Sequence, residues 1–459
     1  MIEKDISCYS KFFTEYTELR VQENRNLRIA MLNGSVVQNS KAAISGVSAR
    51  VYKAGVWGFS SNPDITDEAV MKVIKSATDN SIFLDSRERR DKTGLTEAKA
   101  LSDNDFSTKK KRKNQMELIE FIKGVDTYIT KNFSGINSRV IALSCLDMEK
   151  TLITSDGSSA YSMMPRSIIQ IVLTVLKDGE PVELYDVYGG SGQFEDHFSS
   201  HNVFCEKIDA QYEHLMKKAE GVFPSAGLCD CILDANLAGI LSHESIGHTT
   251  EADLVLGGSV AGDYLNKEVA SPMVTLVDFA NTANGDLCPI PVFVDDEGTK
   301  AEDVTIIEKG ILKGFMHNKE SANHFNTVAT GNARAFNFSD EPIIRMRNTA
   351  ILPGKDKLEE MISSIDNGYY LMTAGNGQAD STSEFMFGIV LGYEIKNGKI
   401  GKAIKDTTIS GVAFDVLKTV DMVSDDMNWQ CGGMCGKKQA IPVGMGGPAL
   451  KCRLNIGGR

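Results

Sequence analysis

Ile232-Leu-Asp-Ala-Asn-Leu-Ala-Gly-Ile-Leu-Ser-His-Glu-Ser-Ile-Gly-His248, continuing into Thr249-Thr-Glu-Ala-Asp253, is the stretch that organises this chain. The apolar run Ile232 to Leu241 reads as a helix, and it delivers His243, Glu244 and His248 at its end. Two imidazoles and a carboxylate so close together are what a catalytic zinc needs from one segment. The spacing is unusual. In the common H-E-x-x-H pattern the histidines stand at i and i+4 on one helix face. Here the second stands at i+5, about 140° away on a regular helix of 3.6 residues per turn. Both reach one ion only if the helix bulges or ends between them. A π-bulge supplies that correction, and Gly247 makes the distortion cheap. Spacing alone leaves two readings level: a metal site, or two polar residues on an ordinary helix.

Around this helix the sequence reads as strands. Downstream, Pro291-Val-Phe-Val, Val304 to Leu312 and Gly388 to Lys399 are short β-rich runs broken by Lys-Gly and Asn-Gly turns. They predict a larger, mostly antiparallel, barrel-like C-terminal domain with few helices, the clearest at 358–365 and 412–420. Upstream, strands over Arg28 to Phe59 lead to an amphipathic helix from Asp67, capped by Thr66 or Asp64. A helix over 116–132, the hairpin Ser167 to Tyr188 turning at Asp178-Gly179, and a helix over 204–220 complete that half. Gly221-Val-Phe-Pro-Ser-Ala-Gly227 interrupts the pattern. The expected fold class is therefore α+β. An N-terminal sheet-and-helix domain spans 1–220, divisible near 86–115, and a domain carrying the motif helix spans 221–459.

With 459 residues, 42% of them hydrophobic and 24% charged, the chain builds globular cores without difficulty. A net charge of -12 argues against a general affinity for nucleic acid or anionic membrane. The acidic first residues do not read as a signal peptide, and no apolar run reaches the ~20 residues of a membrane helix. Nine cysteines, an odd number thinly spread, suit free thiols in a reducing compartment. The expectation is a cytoplasmic protein without membrane partners. One basic run, Lys109-Lys-Lys-Arg-Lys113, could contact nucleic acid, but a solvated entry to the next helix is favoured.

A third ligand has several candidates. Histidines 197, 201, 214, 317 and 324 lie in no comparable motif. Asn428-Trp-Gln-Cys-Gly-Gly-Met-Cys-Gly-Lys437 is stronger, because a cysteine among glycines can approach a metal unobstructed. Cys431 and Cys435 could otherwise pair with each other, and Cys229 and Cys231 could pinch a metal, although plain buried thiols are favoured for the latter two.

Taken together, His243-Glu-Ser-Ile-Gly-His248 with Glu251-Ala-Asp253, Val294-Asp-Asp-Glu-Gly298, Thr330-Gly-Asn332, Arg347-Asn-Thr349 before Leu352-Pro-Gly354, and Cys435-Gly-Lys437 before Pro442-Val-Gly444 resemble the TldD/PmbA metalloproteases. The resemblance implies a zinc peptidase in which His243, His248 and Cys435 hold the metal and Glu244 is the general base. Iron or manganese could occupy the same site. Because the motif is complete, the chain is similar to the TldD branch and not to the PmbA branch, which lacks it. The resemblance further implies peptide or unfolded polypeptide substrates and a dimer, either of one chain or with a PmbA/TldE-like chain. Strand-rich walls suggest that substrate is gripped through its backbone. The competing readings are a metal-free scaffold or partner subunit, a gyrase-modulator-like regulator associated with nucleic acid, and a metallohydrolase of non-peptide substrates. Nothing in the sequence supports direct nucleic-acid binding.

Overall fold

The computed structural model describes residues 2–87, 94–430 and 432–458. Strands β1 (Tyr16–Leu32), β2 (Ser35–Lys53) and β3 (Val56–Asn62) are joined by tight turns. Asn33-Gly34 makes the first with both residues at positive φ, the type I′ geometry that matches strand twist. These strands are longer than the sequence pattern suggests. β1 begins at Tyr16, and β2 continues through the polar Gln38-Asn-Ser-Lys41, because pairing to β1 and not side-chain alternation holds that segment. Helix α1 (Asp67–Arg87) follows, Thr66 Oγ1 accepting the Ala69 N–H. Then come β4 (Leu101–Asp105), α2 (Gln115–Asn132), β5 (Ile136–Thr154), β6 (Ser159–Lys177) and β7 (Glu180–Ser191). The sheet order is β3-β2-β1-β5-β6, with β4 and β7 pairing in succession along β6. The short α3 (Phe194–His197) and α4 (Cys205–Ala219) complete this half, and α2 and α4 cover one face of the sheet.

The fold class is α+β, as the sequence leads one to expect. β8 (Gly227–Leu233) starts a closed five-stranded barrel. It pairs in parallel with Asn367–Ala379 and antiparallel with Leu450–Ile456, which pairs with Thr407–Val412. That strand pairs with Glu384–Lys396, which returns to Asn367–Ala379. A second, six-stranded sheet runs from Ile311–Leu312 through Val304–Glu308, Leu276–Phe279, Asn348–Ile351 and Gly444–Gly447 to Asn428–Gln430. Two local expectations change. Ile232 and Leu233 end β8 rather than opening the helix, because their backbones pair with Lys451 and Leu450. Pro291-Val-Phe-Val is not a strand beyond a single bridge at Val294, since proline withholds a ladder donor.

The barrel core supports the motif helix: Leu237, Ala238, Leu241 and Ile246 join Leu233, Leu371, Phe385, Ile409 and Leu454 in one buried cluster. Contact between the two halves is both apolar, with Leu391, Tyr393 and Ala403 joining the core that α2 and α4 cover, and polar. Arg50 pairs with Glu18 and Glu297, and Lys150 with Asp296 (2.7 Å), all buried or nearly so.

His317 is also buried, and burial holds its imidazole down to about 4. The unfolded chain takes that proton near the ordinary value of about 6.5. Its contribution to stability is therefore present above pH ~6.5 and is lost as pH falls toward 4. The full shift is worth on the order of 3 kcal/mol. Urea midpoints measured from pH 7 to 4.5 should fall, and His317→Gln should flatten that fall.

Candidate metal centre

Asp234 caps helix α5 (Ala235–Leu241), its carboxylate accepting the Leu237 N–H at 2.9 Å. Gly239 allows this helix to lie against the strand Gly444–Gly447: a Cβ there would stand 2.7 Å from the Gly446 nitrogen. At Ser242 the helix widens into a π turn that runs to Gly247, the bulge that an i,i+5 pair of histidines requires. Side chains occupy the carbonyls of the altered turn. Ser242 Oγ donates to Ala238 O, Thr249 Oγ1 to Ile246 O, and Thr250 Oγ1 to Ile246 O and Gly247 O, at 2.7–3.0 Å. The widened turn brings the His243 and His248 rings to 5.2 Å between centroids, nearly perpendicular.

Gly247 serves the turn sterically. A Cβ on it would meet Met346 Sδ at 1.9 Å. Gly247→Ala is therefore expected to cost about 1–3 kcal/mol as overpacking, measurable by urea denaturation. Its effect should be non-additive with Met346→Ala, which removes the colliding atom.

Cys435 comes to this turn from the far end of the chain, on the short strand Met434–Cys435 that pairs with Ile441–Pro442. Its sulfur lies 3.3 Å from His248 Nε2. The candidate donor atoms of His243, His248 and Cys435 all fall within 4.8 Å of one another. Among the described residues no other set of three or more His, Cys, Asp or Glu side chains is so placed. Histidines 197, 214 and 317 make hydrogen bonds elsewhere. Cys231 is a buried thiol opposite Cys452 in the barrel wall, and Cys229 is half-buried. Cys431 lies outside the described residues. Lys110 and Arg112 of the basic run are engaged by Glu195, at 2.8 and 3.0 Å.

Do these side chains suit a metal? His243 is fully buried and neither of its ring nitrogens has a hydrogen-bond partner, a costly state for an imidazole without a ligand. The 3.3 Å between Cys435 Sγ and His248 Nε2 matches the roughly 3.3–3.6 Å edge of a tetrahedral site with bonds of ~2.0–2.3 Å. Burial opposes charge here, yet beside His243 and His248 the Cys435 thiol is held down to about 3. Burial likewise works against His248, but the Cys435 sulfur and the Glu251 carboxylate bring it up to about 10. These shifts favour a thiolate, the form that ligates metals, beside an imidazolium whose Nε2 proton a bound metal would displace. One thiolate and two imidazoles form a donor set that zinc favours.

Glu244 occupies a different position from its neighbour. Its side chain is about one-third exposed, and its carboxylate stands 3.8 Å from His248 Nε2, at the open side of the group. A groove lined by Tyr185, Tyr188, Asn236, Ile240, Thr373 and Trp429 runs along helix α5, beside the outer edge of β7.

Three further contributors have no role legible in the sequence: Arg345 carries no local signal, and Lys437 and Glu251 stand in recognisable blocks without an assigned part. Arg345 is fully buried and donates to the carbonyls of Cys435 (2.7 Å) and Gln439 (2.8 Å), fixing the loop that carries the sulfur. Lys437 donates to both Asp253 oxygens (2.8 and 2.7 Å) and to Ile344 O, and lies 3.1 Å from Glu251. Glu251 also meets His248 Nδ1 at 2.9 Å.

The description "PmbA/TldA metallopeptidase C-terminal domain" matches residues 226–458, and "PmbA/TldA metallopeptidase domain 1" matches 17–81. A metalloprotease of Methanocaldococcus jannaschii is 31% identical over 443 residues, covering 95% of this chain and 96% of that protein. A zinc metalloprotease TldD homolog of Saccharolobus solfataricus is 29% identical over 416 residues, 90% of each. Among solved structures, TldE from Thermococcus kodakarensis superposes with a TM-score of 0.76 at 18% identity, covering 99% of both chains, a likeness of fold.

Proposed function

We propose, from the premise that this chain belongs to the PmbA/TldD metallopeptidase family, that it is a zinc peptidase acting on peptides or unfolded protein segments through the group at His243, Glu244, His248 and Cys435. The observation that carries the reading is the buried His243, whose nitrogens have no hydrogen-bond partner and one of which lies within 4.8 Å of donor atoms of His248 and Cys435. His243, His248 and Cys435 would hold the zinc. When bound, zinc supplies a Lewis acid toward a peptide carbonyl and lowers the pKa of water to about 7. Glu244, within reach of the same point and open to solvent on one side, takes a proton from the attacking water and returns it to the leaving amine. Burial of His243 and Cys435 keeps bulk water from that side of the group.

Substrate approach along the groove beside β7 would place an extended peptide next to a strand that pairs only with β6 among the described residues. Backbone pairing of this kind selects for unfolded chain and not for sequence. The fold shared with a TldE supports assembly as a dimer, with a TldE-like chain or a second copy.

The test is metal analysis together with a casein cleavage assay, with and without chelator, in the presence and absence of a TldE-like chain. The expected result is a zinc-loaded protein whose chelator-sensitive cleavage is lost, along with the metal, in His243→Ala. Equal metal content in the two proteins would sink the assignment. Metal binding without cleavage in either setting would point to a non-peptide substrate.

A further inference from the structure

One buried carboxylate ties two of the three candidate ligands together. Glu251 is fully buried, and a carboxylate in such surroundings is costly unless its oxygens meet donors. Its Oε2 meets both His248 Nδ1 at 2.9 Å and Lys437 Nζ at 3.1 Å. His248 is a candidate ligand, and Lys437 lies two residues beyond Cys435, another. The single oxygen therefore joins the segment that follows the π turn to the loop that brings the sulfur. Lys437 reinforces the joint through Asp253 and Ile344 O, so that the three hydrogens of its ammonium are all directed to acceptors of this centre.

We propose that Glu251 and Lys437 are positioning residues that set how tightly His243, His248 and Cys435 take a metal ion, an inference that rests on the metal-site reading above. The physical effect has two parts. A carboxylate at Nδ1 makes that nitrogen the protonated one and leaves Nε2, on the Cys435 side, as the donor to metal. It also fixes the ring plane, which a freely rotating imidazole would have to surrender on binding. Lys437 does the same for the loop: without its charge, Glu251 and Asp253 would lack their shared cation, and the hold on the Cys435 loop at this point would be gone. His243 has no comparable partner, both of its nitrogens being unbonded, so this control acts on the His248–Cys435 side of the centre alone.

The experiment is competition of the full-length, metal-stripped protein with a chromophoric chelator for zinc, and the absorption of the cobalt-loaded protein. Lys437→Met and Glu251→Gln are each expected to bind zinc 10–100-fold more weakly than wild type. The thiolate-to-cobalt charge-transfer band should shift or weaken, a change that mere loss of stability does not produce. Lys437→Arg, which keeps the charge, should recover part of the affinity. Should Lys437→Met fail to fold, Glu251→Gln alone carries the test, since it is nearly isosteric. Zinc affinities within twofold of wild type, with an unchanged cobalt band, would overturn the proposal while leaving the metal site standing. A wild-type protein that binds no zinc would remove the metal-site reading itself, and this inference with it.

Discussion

Glu244→Gln is expected to lower peptide hydrolysis by roughly 10²–10⁴-fold, the range over which a positioned general base contributes, while leaving metal content and thermal stability as they are in wild type. His243 beside it is fully buried and unpartnered, whereas Glu244 is about one-third exposed and makes no short ion pair, its nearest basic atom being His248 Nε2 at 3.8 Å. A carboxylate in that place is free to accept a proton and is not needed to hold the fold. The amide keeps the shape of the side chain but cannot accept the proton of water, so kcat should carry the loss and KM should change little. Steady-state kinetics on a peptide substrate, with metal content measured on the same preparation, checks it. Activity within tenfold of wild type at full metal content would remove Glu244 from the role of base. Loss of metal in the variant would instead make it a ligand.

The second large effect is structural. Arg347→Met is expected to destabilise the protein by about 3–5 kcal/mol, the cost of breaking a fully buried ion pair from one side. Arg347 and Asp278 are both wholly inaccessible to solvent, and Nε meets Asp278 Oδ2 at 2.8 Å. The guanidinium also donates to the carbonyls of Thr330, Gly331, Asp278 and Glu302, so methionine would leave those acceptors without this donor and Asp278 without its counter-charge, its carboxylate keeping only neutral donors, the N–H groups of Asn332, Arg347 and Asn348 among them. The backbone of the same residue receives the Gly444 N–H at 2.9 Å, next to the segment that leads back to Cys435. Urea denaturation of Arg347→Met should show the loss. Asp278→Asn combined with it should cost less than the sum of the two, because the unpaired charge is then gone. Full additivity would show that the pair does not act as one unit.

The blocks quoted from the sequence divide by what holds them. The i,i+5 histidines announced a bulge or an end to the helix, because a regular helix cannot aim both at one point, and the structure takes the π turn. Turn residues such as Asn33-Gly34 and Asp178-Gly179 were equally legible, since left-handed backbone has few tolerant residues. Strand ends were less so. β2 extends through ten exposed residues, Ser35 to Ile44, with no alternation to mark it, because hydrogen bonds to β1 define it. Ile232 and Leu233, apolar enough for a helix, were claimed by the barrel.

What the sequence determined by itself is local: residue chemistry, period and turn type, and with them the α+β class and the histidine pair. What tertiary structure decided is which distant groups meet. Cys435 is 187 residues from His248, and no spacing rule reaches that far. Barrel closure through the parallel pairing of β8 with Asn367–Ala379, the hold of Arg345 on the Cys435 carbonyl, and the Glu251–Lys437 joint behind His248 all depend on chain crossings. The physical reason is burial. A charged or polar side chain excluded from water must be matched by whatever the fold brings beside it, and that partner is fixed by topology and not by neighbouring sequence.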